Sequence, residues 1–386
     1  MVTKFQAGAI LEIDLAALAA NYEILKQRAA PAECAAVVKA DAYGLGADRV
    51  APVLAAAGCK TFFVAHMAEG IALRQTLGGH AAIYILNGIL PGTEGDFRAH
   101  ELRPVLNSLE QLEHWTGAAA LHLDTGMNRL GLSPDDAAAL AAAPGRLENI
   151  DLRLVVSHLA CADEAGHEMN EQQRQLFDRL RATLPARPAS LANSSAIFLG
   201  PGYHYDLVRP GIALYGGNPT PGAANPMRQV VRLAGKIIQV REIDTPQSVG
   251  YGATHRATGP RRIATVPVGY ADGYLRSLSG QGMGCLAGVS VPIVGRVSMD
   301  LITLDVTDVP MQAARAGAVV DLIGGGGIAV DDVAVDNVAA RAGTIGYEIL
   351  TSLGHRYCRR YHFGNAGNRG IRGYGGGGAR EGVVDG

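Results

Sequence analysis

The chain has 386 residues, 34 Lys+Arg against 36 Asp+Glu, a net charge of -2 and 48% hydrophobic residues. That is enough for two domains with large cores, because a compact barrel alone takes roughly 250 residues. Near-neutral charge excludes a basic nucleic-acid surface, and no stretch reaches the ~18 apolar residues of a membrane span.

The five cysteines are scattered and form no CxxC pair, so neither a disulfide framework nor a structural metal site is expected. Glu12 and Asp14 interrupt the opening residues, which therefore do not read as a secretory signal. A soluble, cytoplasmic protein is expected.

Asp14 is placed to cap a helix running to about Arg28. A short apolar strand over 35–39 then ends at Lys39. A helix over 48–57, the strand TFFVA (61–65) and a helix over 67–77 follow. AIYILNG, RPVLNS and AALHLDTG read as further strands. LRLVVSHLA (152–160) leads into a helix from about Glu168 to Ala182, followed by SLANS (190–194) and LVRPG around Arg209. Apolar strands alternating with amphipathic helices predict repeated βα units and a closed parallel barrel. No GxGxxG follows the first strand, which excludes a dinucleotide fold.

After Asn225 the texture becomes β-rich with Gly/Pro turns. The predicted organisation is a barrel over 1–228, a mainly β domain over 229–361 and a Gly-rich disordered tail over 362–386. Between Gly364 and Gly386 there are ten glycines, and such a segment cannot repay its ordering entropy by burial.

Chemistry in a parallel barrel sits at the carboxyl ends of its strands. Lys39, Asp124, Arg129, His158, Asn193 and Arg209 all fall there. Lys39 stands out, because a lysine closing a buried strand is desolvated and its lowered pKa suits attack on a carbonyl. The alternative is a solvated strand-end lysine. His158 reads equally well as a satisfied core histidine. Arg209 suits contact with an anion or a ring nitrogen, the alternative being an ion pair with Asp206 or another carboxylate. Ser194 and Ser195 offer hydroxyls where a phosphate would sit.

Nine segments carry a more specific signal: AVVKADAYGLGA, LDTGMNRLG, SHLACAD, LANSSA, YDLVRPGIALYG, VGYGATHRA, VPVGYADGY, VGRVSMD and TIGYEI. In this order they resemble the pyridoxal-phosphate-dependent alanine racemases, across residues 10–358. The resemblance implies an N-terminal (β/α)8 barrel, a C-terminal β domain and a homodimer. Each active site would combine the barrel of one subunit with the β domain of the other. It also implies interconversion of L- and D-alanine. Whether the D-alanine feeds peptidoglycan precursors or the reaction serves degradation is left open by these residues.

By motif, Lys39 resembles the lysine that carries pyridoxal 5'-phosphate, and Tyr251 of the partner subunit resembles the second base. Two bases on opposite faces are what inversion at Cα requires, with Lys39 serving the D- and Tyr251 the L-enantiomer. A free tyrosine titrates near pH 10, so a cationic neighbourhood must assist. The family places His158 and Arg209 there, with Arg209 facing the pyridine nitrogen.

Tyr43, Ser194, the Gly211 and Ile212 amides and Tyr347 resemble the phosphate ligands. Arg129, the Met299 amide and Tyr270 resemble the groups around the substrate carboxylate. Asp300 is a supporting residue or a simple turn residue. Asp163 and Arg296 resemble residues of the substrate corridor.

This chain departs from the family pattern at His122, seven positions before Arg129, where many members carry a lysine modified to a carbamate. Another anion, chloride or a carboxylate such as Asp124, must then hold Arg129. Gly346 and Ser298 also replace a common proline and cysteine. A broader racemase of serine or basic amino acids is the nearest alternative. Decarboxylases of this barrel class place a carboxylate where VRPG offers Arg209. A non-catalytic cofactor carrier would not need Tyr251 and Arg129.

Overall fold

Strand β1 (Ala9–Asp14) runs directly into a helix, Leu15–Ala29. The helix starts there because Asp14 Oδ1 accepts the N–H groups of Ala16 and Ala17 at 2.9 and 3.0 Å. The computed structural model describes residues 7–325, 331–363 and 383–385. They form two units, Leu18–Arg228 and the residues up to Ala17 together with those from Gln229 onward.

The first unit is built on parallel strands. These are β2 (Glu33–Cys34), β3 (Ala36–Val37), β4 (Thr61–Val64), β5 (Ala82–Ile85), β6 (Leu102–Leu106), β7 (Gly117–His122), β8 (Ile150–Val156), β9 (Ala189–Ser190) and β10 (Leu207–Val208). β3 to β9 make one seven-stranded sheet in sequence order. β10 pairs in parallel with β2. The Ala35 and Val37 N–H groups donate to Val208 O and Pro210 O at 3.0 and 2.9 Å. On the other side, Asp206 and Arg209 donate to Ala189 O and Ala192 O at 3.0 and 2.8 Å. These bonds close the sheet into an eight-membered barrel, with β10 as the last stave.

The helices between strands follow local rules. Met67–Leu77, Pro134–Ala142 and Glu168–Arg181 supply three of them. Ser133 and Asp136 cap the second reciprocally. The third buries Asn170, Gln173 and Phe177 at helical spacing.

The second unit holds a seven-stranded sheet in the order β17-β16-β19-β11-β1-β20-β21. Its members besides β1 are β11 (Val231–Lys236), β16 (Met283–Leu286), β17 (Val289–Pro292), β19 (Val319–Ile323), β20 (Cys358–His362) and β21 (Val383–Asp385). A three-stranded sheet, β12 (Gln239–Ile243), β15 (Arg261–Val266) and β18 (Ile302–Asp305), and a short hairpin, β13 (Ser248–Val249) with β14 (His255–Arg256), complete the strands. Two helices, Val335–Ala342 and Gly346–Ser352, follow β19.

Three expectations are corrected. Strand β1, assigned by sequence to the barrel over 1–228, instead lies between β11 and β20 in the second unit. Its alternating burial explains this, since a parallel barrel strand is apolar on both faces. On its polar face Glu12 meets Arg232 at 3.0 Å. The first barrel strand ends at Val37 rather than at Lys39. Within the predicted disordered tail, 383–385 forms a strand antiparallel to β20, and the rest of the tail beyond Phe363 lies outside the described residues. Among the described residues no helix is long and apolar enough to cross a membrane.

Candidate active site

The sharpest local feature follows β3. Ala40, Asp41, Ala42 and Tyr43 all adopt left-handed backbone conformation, with φ from 52 to 57°. None is glycine, and each such residue costs about 1–2 kcal/mol. Three anchors hold the turn. Ala42 N–H donates to Val38 O at 2.9 Å, Ala47 N–H to Asp41 Oδ1 at 2.7 Å and Ala40 N–H to Glu69 Oε1 at 2.5 Å. Lys39 is half-buried at the head of the turn. Burial and the nearby Arg129 lower its amine pKa, while Glu69 opposes them. The solvated-lysine reading is therefore set aside.

Arg209 is buried. Its Nη1 donates to Ser190 Oγ and its Nη2 to Ser157 O, both neutral acceptors. Burial lowers its pKa to about 10, so it keeps its charge at neutral pH. The alternative reading, an ion pair with Asp206, is not formed, and Asp206 Oδ2 instead accepts the Ala189 N–H at 2.7 Å. His158 and His122 lie in the field of this cation. Burial first, and then Arg209, push His158 down to about 3 and His122 down to about 4. Both imidazoles are neutral at pH 7.

Ser194 Oγ accepts the N–H groups of Gly211 and Ala213 at 2.9 and 3.3 Å, which aligns the hydroxyl with the start of the turn Ile212–Tyr215. The Gly211 amide is thus engaged by Ser194. The Ile212 N–H opens the turn, where no intrahelical acceptor exists. The Tyr43 ring lies 4.6 Å from that of Tyr215, tilted by 31°, and its hydroxyl lies over Gly211. A Cβ at Gly211 would stand 2.1 Å from that oxygen, so only glycine fits.

Arg129 is exposed, in a loop shaped by Asp124. Asp124 Oδ1 accepts the Gly126, Met127 and Asn128 N–H groups at 2.9, 3.0 and 3.2 Å. Asn193, a strand-end candidate, caps the following turn by accepting the Ala196 N–H at 3.0 Å.

The remaining sequence candidates lie in the second unit. Tyr251 is 73% exposed, beside Gly252, whose added Cβ would meet Arg296 Nη1 at 3.2 Å. Tyr270 and Met299 sit on two turns tied together, with Tyr270 N–H donating to Ser298 O at 3.1 Å and Ala271 N–H to Met299 O at 3.0 Å. Asp300 is more than a turn residue, because it accepts Arg356 Nη1 at 2.9 Å. Arg356 Nε also pairs with the buried Asp272 at 3.1 Å, and Asp272 Oδ2 accepts the Gly269 N–H at 2.8 Å. Tyr347 is 39% exposed on the helix Gly346–Ser352.

Sequence reasoning missed Glu69, Asn107, Arg356 and Asp272. The acidic N3 position of a predicted helix signalled Glu69. Nothing local signalled the contacts of Asn107 with His122 or of Arg356 with Asp272 and Asp300, which join residues remote in sequence.

The barrel end therefore gathers Lys39, Arg209 and two neutral histidines, with Arg129 within their electrostatic reach. The alanine racemase N-terminal domain family matches residues 13–219 and the C-terminal domain family residues 230–361. The chain belongs to the alanine racemase family.

The alanine racemase of Rhodospirillum rubrum is 55% identical over 366 residues, 92% of this chain and 96% of the relative. The catabolic alanine racemase of Mesorhizobium japonicum is 50% identical, covering 93% and 95%. The solved alanine racemase of Bartonella henselae, with covalently bound pyridoxal phosphate, superposes with a TM-score of 0.86 at 40% identity, covering 92% of this chain and all of that one.

The chain is accordingly a pyridoxal-phosphate-dependent enzyme that interconverts L- and D-alanine. Its residues fit that cofactor. The cationic cluster suits an anion, the glycine under Tyr43 leaves a cradle, and Lys39 offers an amine of lowered pKa.

Proposed function

We propose that Lys39 and Tyr251 are the two proton-transfer groups of this racemase. The observation that carries the barrel half of this reading is the buried Arg209 cation, held among the described residues by neutral acceptors beside a lysine of lowered pKa. Bound pyridoxal phosphate would supply an acceptor for the electron pair left at the substrate Cα. Lys39 would hold the cofactor, with Tyr43, Ser194 and the Ile212 amide at its phosphate, assisted by Tyr347, while the Gly211 amide orients Ser194.

Arg209 keeps its protons and offers only donors, so set against the cofactor's ring nitrogen it would leave that nitrogen unprotonated. That would moderate electron withdrawal and disfavour side reactions such as transamination.

Lys39 Nζ would take the Cα proton of D-alanine, and Tyr251 Oη that of L-alanine. Each returns a proton for the other direction. His158 would support Tyr251 by accepting a hydrogen bond from its hydroxyl, which a neutral imidazole is able to do. Arg129, the Met299 amide and Tyr270 bind the substrate carboxylate, with Asp300 and His122 in support.

Tyr251, at 73% exposure, is poorly placed for proton transfer in open water. A homodimer in which Tyr251 serves the partner subunit's barrel would cover it, together with the exposed Tyr270, Met299 and Ile345. A cytoplasmic location agrees with the five free cysteines.

The test is incubation of the enzyme with L-alanine, L-serine or L-lysine, read by chiral chromatography. Rapid approach of alanine to an equal D:L mixture, with the others slow, is expected. Faster turnover of serine or lysine would move the chain to a broader racemase.

A further inference from the structure

We propose that Glu69 is the positioning residue for Lys39, clamping the strained turn that carries the lysine to the neighbouring βα unit. Its carboxylate makes two sets of bonds. Oε2 accepts the Ala65 and His66 N–H groups, both at 2.9 Å, where β4 gives way to the helix Met67–Leu77. Oε1 reaches across to the Ala40 N–H at 2.5 Å, next in sequence to Lys39.

A carboxylate is the group this geometry needs. Three N–H donors converge on two oxygens from two sides, so both ends must accept. A glutamine would turn an NH₂ toward one side and break it. An aspartate is one methylene shorter, so it can serve the local helix start but not also the remote Ala40. Alanine at position 40 has no intrinsic preference for φ 53°, and the remote bond compensates. The same turn ends at Tyr43, so the clamp also sets the separation between the lysine amine and the tyrosine hydroxyl over Gly211.

Glu69 acts on charge as well as on shape. Its negative charge favours the protonated form of the Lys39 nitrogen, against burial and Arg129. One side chain thus fixes the place of the lysine and offsets the cationic field around it.

The proposal rests on Lys39 being the cofactor lysine, and the experiment separates the two claims. Borohydride reduction of wild-type holoenzyme followed by peptide mass spectrometry reports which lysine holds pyridoxal phosphate. A site other than Lys39 overturns the functional reading and this proposal with it. With Lys39 confirmed, the holoenzymes of E69Q, E69D, E69Q/A40G and S133A are compared with wild type. Two quantities are read, namely the rate at which hydroxylamine strips the cofactor and the pH midpoint of its visible absorbance.

E69Q should lose cofactor about tenfold faster and lower the midpoint by about half a unit or more. E69D keeps the charge and the helix cap, so it should shed cofactor faster while holding the midpoint. A40G suits the left-handed conformation, so adding it to E69Q should slow cofactor loss without restoring the midpoint. S133A removes a helix cap elsewhere and should change neither quantity. Wild-type stripping rates and midpoints in both E69Q and E69D would overturn the proposal. So would an equal effect of S133A, because Glu69 would then be only a helix cap.

Discussion

The Nδ1 of His122 lies 2.8 Å from the Oδ1 of Asn107, and this contact sets the tautomer of the imidazole. Asn107 Nδ2 donates to Leu86 O at 3.0 Å and Val105 O at 2.8 Å, so its oxygen must accept. His122 therefore donates from Nδ1 and keeps a lone pair on Nε2. Where many relatives would carry a charged carbamate, this chain has a neutral acceptor. Asp124, proposed from sequence as a substitute anion for Arg129, works through the backbone of the Arg129 loop instead.

The two histidines make stability depend on pH in a defined direction. Their ordinary value is 6.5, whereas the folded values are about 4 for His122 and about 3 for His158. Below 6.5 the unfolded chain binds protons that the folded chain refuses. Their contribution is thus complete above 6.5 and is lost as pH falls toward the folded values. Urea unfolding should show a loss of up to ~1.4 kcal/mol per pH unit for each histidine. His122→Asn should flatten that slope between pH 6.5 and 4, and an unchanged slope would show that His122 titrates normally.

The two proposed bases should separate spectroscopically. Lys39→Ala should abolish the visible absorbance of the lysine-bound cofactor. Tyr251→Phe should leave that absorbance intact while slowing L-to-D turnover by more than about 10²-fold, the lower range for a positioned acid-base group. Near-normal turnover in Tyr251→Phe would assign the second base elsewhere.

Gly211→Ala tests the cradle. The added Cβ would stand 2.1 Å from Tyr43 Oη, so the tyrosine must move from its place against Tyr215. Overpacking of this kind costs about 1–3 kcal/mol, equivalent to about five- to 150-fold weaker cofactor binding. Equilibrium dialysis measures this directly, and unchanged affinity would remove Tyr43 from the phosphate set.

Arg356→Ala tests the support beneath Tyr270 and Met299. Loss of the guanidinium leaves the buried Asp272 without its cation and frees Asp300. Because Arg356 is itself half exposed, the stability cost should stay near 1 kcal/mol. The KM for alanine should rise about fivefold, beyond what that modest destabilisation accounts for. Steady-state kinetics with a parallel thermal melt would separate the two effects, and a melt change alone would make Arg356 purely structural.

The barrel was legible because its strands and helices announce themselves locally. TFFV has three apolar residues after Thr61 and all four are buried, while Phe177 follows Gln173 and Asn170 at helical spacing. The family was legible because its segments, among them those around Lys39, Arg209 and Tyr251, are specific. Strand β1 was not, because its short alternating pattern names a half-exposed strand without naming the sheet it joins.

By itself, the sequence determined the βα rhythm, the change to β-rich texture after the barrel and the residue types available for chemistry. All follow from local periodicity and composition. The tertiary structure alone decided that Ala9–Asp14 joins the second sheet, that Asn107 orients His122 and that Glu69 reaches the turn after Lys39. These are contacts between residues distant in the chain. Their energy depends on atoms meeting in space, and one-dimensional spacing does not encode that meeting.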